Sequence, residues 1–285
     1  MRKRRGMLRL FACVAVVVQL VASACGEDRP FDPSTRRLGV LFIGSSLTYW
    51  NDMPRIVEAL FVAAGFPTPR IEMLADPGAG LEWHWSQSET HRVIEEGAWD
   101  VVILEQGSSY GADRADLIEY STLFAQEIRS AWGEPALYMV WPSADRLDDF
   151  GLVSDSYRMA AAEVDGLLFP VGEAWRAALR LLPSLQLYGA DGLHPSVLGS
   201  YLAALVMFEG LTGASPIGLP STLEVPGSAV RIEVSPEETA ALQAAAVEAN
   251  AKFGIGLTSA APRAAANLIV GGDEGRSRSL PGPAR

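Results

Sequence analysis

The sequence predicts an α/β protein with a central parallel sheet of about five strands and helices on both faces. Short apolar, β-rich runs alternate with longer segments of helical periodicity, and strands joined through helices run parallel. The breaks between them fall at Gly and Pro, where helices stop. At 285 residues and 49% apolar composition, the chain can build one sizeable domain or at most two small ones.

Strands are expected at about 38–43, 69–75, 100–105, 136–141 and 167–171, and helices at about 53–64, 81–96, 114–131, 152–165 and 173–182. Gly65 with Pro67, Gly97, Gly133 with Pro135, and Pro183 close the first, second, third and fifth of those helices. A further apolar helix over about 196–211 has Pro195 at its first turn. Residues 229–234 read as an added edge strand. Ser235-Pro236-Glu237-Glu238 then starts an Ala-rich helix to about Phe253, with a capping serine, Pro at the first position and acids in the first turn. No internal repeat is visible. The domain is assigned to 38–256, and 257–285, without periodicity, reads as a disordered tail.

The N-terminus reads as a targeting segment. Arg2, Lys3, Arg4, Arg5 and Arg9 form a basic region, residues 10–21 an apolar stretch too short to span a membrane comfortably, and Ala22-Ser23-Ala24 a small-residue cleavage site. Cys25 follows at once, a pattern that resembles a bacterial lipoprotein signal, although Leu is usual where Ala22 stands. Residues 1–24 are therefore expected to be removed, with Cys25 as a lipid anchor in the cell envelope or, failing acylation, with the protein secreted. Residues 25–37 read as a linker. Cys13 lies in the removed segment, so the mature chain is left without an internal disulfide or a Cys-based zinc site. Processing also removes five basic and no acidic groups, taking the net charge from −11 to −16. So acidic a surface repels phosphate backbones and makes nucleic acid a poor partner.

Chemistry-bearing residues gather at the predicted strand ends. Gly44-Ser45-Ser46-Leu47-Thr48 follows the apolar run at 38–43, delivering a hydroxyl to the carboxyl edge of the sheet, where open α/β folds bind ligands. Ser46 is either a nucleophile or the cap of the next helix. Of the three histidines, His84 and His91 share one predicted helix and read as surface or interhelical packing. His194 sits in a loop with Asp191 three residues before it. That spacing lets the carboxylate fix the imidazole tautomer whose Nε2 can take a proton, though an Asp-x-x-His can equally cap a helix.

Gly44-Ser45-Ser46-Leu47, the following Thr48-Tyr49-Trp50-Asn51-Asp52, and Asp191-Gly192-Leu193-His194-Pro195 resemble the first and last blocks of the SGNH (GDSL-like) hydrolases, over about residues 38–211. The resemblance implies a flavodoxin-like α/β/α fold that hydrolyses esters without a metal or other cofactor. Ser46 would be the nucleophile, His194 the base and Asp191 its orienting acid, with Ser45 where Asp stands in the commoner Gly-Asp-Ser form. The implied oxyanion donors are the Ser46 amide, Gly78 with Gly80 as rival, and Gln106 in place of the family's Asn, with Ser108 as the substitute. Gly107-Ser108-Ser109-Tyr110-Gly111 also matches the Gly-x-Ser-x-Gly nucleophile elbow, which would make Ser109 the nucleophile instead.

Trp50 and Trp85, with Ser108, are candidate substrate contacts. The expected function is an exported serine esterase acting on a small ester or an acylated carbohydrate, such as an O-acetyl group on sugar. The alternatives are a lipase or phospholipase, or a non-catalytic surface glycan-binding protein. Acyl length, alcohol and oligomeric state are not encoded legibly.

Overall fold

The structure is a computed structural model that describes residues 32–257. The expected signal segment, Cys25, the first part of the linker and the tail from residue 258 lie outside the described residues.

Five strands form the central sheet: β1 (Gly39–Gly44), β2 (Arg70–Ala75), β3 (Val101–Leu104), β4 (Glu134–Tyr138) and β5 (Leu167–Phe169). They pair in the order β2-β1-β3-β4-β5, all parallel. β1 and β3 are buried along their whole length, which is why they read as continuous apolar runs rather than alternating ones. β2 lies at the sheet's edge and is only partly covered.

A short helical turn, α1 (Ser46–Tyr49), leads from β1 into α2 (Met53–Ala63). Then come α3 (Leu81–Trp85), α4 (Ser88–Glu96), α5 (Asp113–Ser130), α6 (Phe150–Val164), α7 (Val171–Leu181), α8 (Val197–Thr212) and α9 (Pro236–Phe253). One helical layer packs α2 on α8, α8 on α7, and α9 on both α7 and α8; the other packs α3 on α5 and α5 on α6. The result is a three-layer α/β/α sandwich, as the alternation predicts. α8 is buried almost all round, because it lies under α9 as well as beside α2.

Three elements differ from expectation. The helix expected over 81–96 is two helices, broken at Ser86-Gln87. Ser86 Oγ and Gln87 Nε2 both donate to the Trp83 carbonyl, at 2.7 and 3.2 Å, and so occupy the acceptor that a continuing helix would use. The fourth strand is Glu134–Tyr138 rather than 136–141, so it starts earlier and ends sooner. Pro135 is tolerated in it because the β5 ladder begins only at Ala136. The segment at 229–234 does not extend the main sheet. Its β7 (Arg231–Glu233) pairs antiparallel with β6 (Thr222–Glu224) in a separate ribbon that buries Leu223 and Ile232. The far edge, β5, is met instead by Ile255, which exchanges two backbone hydrogen bonds with Leu168 at 2.9 and 3.1 Å, while Leu257 N–H donates to the Gly210 carbonyl at 2.8 Å.

The serine predicted to cap α9 does so in a capping box, with Ser235 Oγ accepting from Glu238 N–H and the Glu238 carboxylate accepting from Ser235 N–H.

Candidate active site

β1 ends at the carboxyl edge of the sheet, and its next four residues form the corner that presents Ser46. The cap of α1 is Ser45, whose Oγ accepts from Leu47 N–H at 3.3 Å, so Ser46 is released from that role. Ser46 Oγ lies 2.8 Å from His194 Nε2.

The loop carrying His194 is folded on itself by its own carboxylate. Asp191 Oδ1 accepts from the backbone N–H of Leu193 and of His194, each at 3.0 Å, and Oδ2 lies 2.5 Å from His194 Nδ1. The His194 bond, then the Leu193 N–H, hold the Asp191 carboxyl down at about 2. An ionised carboxylate can only accept, so Nδ1 carries the proton and Nε2 is left to accept from the Ser46 hydroxyl. The helix that follows is capped by Ser196, which accepts from Gly199 N–H at 3.2 Å. Asp191 is therefore not the cap of that helix.

The segment after β4, residues 141–144, holds this loop through three hydrogen bonds. Trp141 Nε1–H donates to the Leu193 carbonyl at 3.0 Å, Tyr188 O–H donates to the Pro142 carbonyl at 2.7 Å, and Ala144 N–H donates to the Gly192 carbonyl at 2.7 Å. From the nucleophile side, the half-exposed Trp50 ring stacks on the His194 ring, with centroids 3.9 Å apart and planes 20° from parallel. The next residue, Asn51, adopts left-handed backbone angles (φ 54°, ψ 30°). Its Nδ2 group donates to the Pro195 carbonyl and to Ser200 Oγ, both at 3.0 Å. Asn tolerates that conformation better than most residues, which fits it to this turn.

The glycine and glutamine blocks meet on the other side. Gly78 is a turn residue at φ +68° with nothing near the position of a Cβ, whereas Gly80 lies against the Gln106 side chain, its would-be Cβ 3.7 Å from Gln106 Cγ. The structure thus brings the rival, Gly80, together with Gln106. Gln106 Oε1 accepts from Leu81 N–H and Nε2 donates to the Asp113 carbonyl, each at 3.3 Å, while Ser108 Oγ donates to the Trp141 carbonyl at 2.5 Å. Gly80, Gln106 and Ser108 line one hollow of about 280 Å³.

Of the other residues singled out in the sequence, Trp85 packs edge-on against His91 and Phe124, within the α3–α4–α5 layer. Ser109 is buried, its Oγ 3.5 Å from the Gln106 carbonyl, with none of the three histidines on its hydroxyl. The elbow motif is therefore a turn without a base. His84 is buried rather than superficial: its Nε2–H donates to the Gly44 carbonyl at 2.8 Å, and burial pulls its pKa down. His91 bridges α4 and α5, with Nδ1 2.8 Å from Glu127 Oε2.

Sequence reasoning missed Glu105. It is fully buried, and burial pushes its carboxyl up, against the hydrogen bonds that Ser45, Thr48 and Gly107 donate to it. The one available signal was an acid set directly after Val101-Val102-Ile103-Leu104, where an apolar strand would not place a charge without a partner.

No protein-family model matches the sequence, and no curated protein sequence matches it significantly. Solved structures do match. A protein from Slackia heliotrinireducens, described as a candidate SGNH hydrolase, superposes with a TM-score of 0.53 at 26% identity, covering 63% of this chain and 100% of its own. A DUF4886 family protein from Bacteroides uniformis superposes with a TM-score of 0.59 at 19% identity, covering 76% of this chain and 96% of its own. The fold is that of the SGNH hydrolases, as the resemblance of the two sequence blocks implies.

Proposed function

We propose that the protein is a serine hydrolase of SGNH type that cleaves esters through an acyl-enzyme. The observation that carries this is the continuous chain from Ser46 Oγ through both nitrogens of His194 to Asp191. Ser46 Oγ bonds to the acyl carbon as its proton passes to His194 Nε2, and the carbonyl π electrons move onto oxygen. The C–O bond to the alcohol then breaks, and the leaving oxygen takes the proton from Nε2. Water repeats the sequence on the acyl-enzyme, releasing the carboxylic acid and restoring Ser46. No cofactor enters this scheme.

The imidazolium formed midway sits between a carboxylate and the face of Trp50, both of which favour the positive charge. The developing oxyanion requires donors. The Ser46 amide, an amide at Gly80 or Gly78, and Gln106 or Ser108 after a change of partner are the candidates. Loss of one such donor typically costs about 2.7–4 kcal/mol in the barrier. Trp50, partly exposed and stacked on His194, is the candidate we favour for meeting substrate; Trp85 has its ring committed elsewhere.

The test is turnover of p-nitrophenyl acetate by the mature chain. Ser46→Ala and His194→Ala are each expected to abolish it and to abolish labelling by a fluorophosphonate; full activity in either variant overturns the mechanism. Protein that binds glycan but never reacts with the probe would favour the non-catalytic reading. Within the esterase reading we favour a short acyl group on carbohydrate, in keeping with the expected export and with the exposed Trp50 beside His194, and a series of chain lengths separates it from a lipase. We also assign the chain to the cell envelope through an acylated Cys25, which Cys25→Ser should release from membranes.

A further inference from the structure

We infer that Glu105 is a positioning residue for the reaction: its carboxylate fixes the nucleophile corner and the 106–108 loop in a single register. The inference rests on the reading of Ser46 as nucleophile.

Glu105 stands directly after β3, next to the end of β1, and is 0% exposed. Its Oε2 accepts from Ser45 N–H at 2.7 Å, Ser45 Oγ–H at 2.8 Å and Thr48 Oγ1–H at 3.0 Å. Its Oε1 accepts from Gly107 N–H. One oxygen thus grips the residues on either side of Ser46, and the other grips the loop that carries Gln106 and Ser108. Four donors on two oxygens meet the acceptor capacity of a carboxylate.

The packing leaves this arrangement no slack. A Cβ on Gly44 would lie 2.8 Å from Glu105 Oε2 and 2.4 Å from Thr48 Oγ1, so the carboxylate lies against bare backbone and only glycine fits beneath it. Below the loop, Tyr157 O–H donates to the Gly107 carbonyl at 2.8 Å and accepts from Gln106 N–H at 3.1 Å, which fixes the second half of the clamp. A carboxylate taken fully out of water is costly to bury, and this one is met by four donors, of which Ser45 N–H and Gly107 N–H are backbone groups that an apolar side chain would leave without an acceptor. What it supplies here is geometry. It sets the Ser46 hydroxyl against His194 and, with the same side chain, sets the distance from the Ser46 amide to Gln106 and Ser108. Both distances matter most in the transition state, so the loss should fall on kcat and not on KM.

The experiment uses the full chain. In Glu105→Gln the amide offers an acceptor at one end only, so either Ser45 N–H or Gly107 N–H faces an NH2 group. With p-nitrophenyl acetate, kcat is expected to fall roughly 10²-fold, as for an ångström-scale misplacement, with KM within about threefold; labelling by the fluorophosphonate should slow in parallel. The rescue is Ser45→Asp combined with Glu105→Gln, which moves the carboxylate across the 2.8 Å contact while keeping the pair complementary. It should recover at least about tenfold in kcat over Glu105→Gln, whereas Ser45→Asp alone, with two carboxylates in contact, should be the poorest of the three.

Should Glu105→Gln not fold, Thr48→Val removes a single donor and should lower kcat severalfold at unchanged KM. A kcat within twofold of the parent in folded Glu105→Gln, or in Thr48→Val if Glu105→Gln does not fold, overturns the inference. Ser46→Ala separates the two readings: full turnover there defeats the nucleophile assignment, while lost turnover there with an unchanged Glu105→Gln defeats this inference alone.

Discussion

Replacing Asn51 should unfasten the two loops that bring Ser46 and His194 together. Its side-chain amide ties the turn after Ser46 to the Pro195 carbonyl and to the fully buried Ser200. Each bond is worth about 0.5–1.5 kcal/mol net, so Asn51→Gly, which keeps the left-handed backbone affordable, should lose about 1–3 kcal/mol. Asn51→Ala loses the same bonds and also the tolerance of Asn for φ 54°, which is a fraction of the roughly 1–2 kcal/mol that a left-handed backbone costs a residue with a Cβ, so the total should be about 1–4 kcal/mol. Urea denaturation measures both, with the slope m expected to stay constant. Activity should fall as well, because His194 adjoins the tethered Pro195. An Asn51→Ala protein within about 0.5 kcal/mol of the parent would refute the reasoning, since a loss that small is typical of an unremarkable surface site. Alanine no worse than glycine would show that the backbone conformation is not held in place.

Asp191→Asn should leave the loop folded, since the amide oxygen can still accept the two backbone bonds, yet lower kcat by roughly 10³–10⁴ by admitting the wrong tautomer of His194; wild-type kcat would deny Asp191 the orienting role. The Asp191 carboxyl, held at about 2, contributes stability that is present above its unfolded value near ~3.9 and is lost as pH falls through about 2. The carbon resonance of that carboxyl should accordingly show no titration between about pH 3 and pH 5; an inflection there would contradict the observed bonds. Gly80→Ala should leave stability unchanged, its Cβ meeting Gln106 at an ordinary 3.7 Å, and should lower kcat if the Gly80 amide faces the substrate; Gly78→Ala should instead cost about 1 kcal/mol in stability for its positive φ. Loss of kcat in the Gly78 variant alone would assign the oxyanion role to Gly78.

What was legible in the sequence was what is local. β1 and β3 announce themselves because both faces are buried, and the helix ends because Gly and Pro stop helices. The Asp191–His194 relation could be read because three residues of one loop contain it. The features that escaped depend on contacts far along the chain. Glu105 draws its donors from Ser45 and Thr48, on a different strand end, and nothing beside it in sequence announces them. Asn51 bonds to Pro195 and Ser200, partners that its neighbours in sequence do not announce. Which of Gly78 and Gly80 lies beside Gln106 depends on where Gln106 lies in space. The residues at 229–234 have the alternation of a strand, which specifies a buried face but not which partner covers it.

The pairing of Ile255 with Leu168 bears on how the molecule behaves in company. A parallel sheet ends in two rows of backbone groups that another chain could extend, and proteins prevent this by shortening, charging or covering such rows. On one side β2 presents Arg70 and Glu72 as an ion pair. On the other, β5 is three residues long, and the strand-like residue after α9 occupies its ladder. The segment at 254–257 thus occupies the place at Leu168 where the backbone of another chain could otherwise pair, so the residues after α9 cover a sheet edge as well as closing the helix.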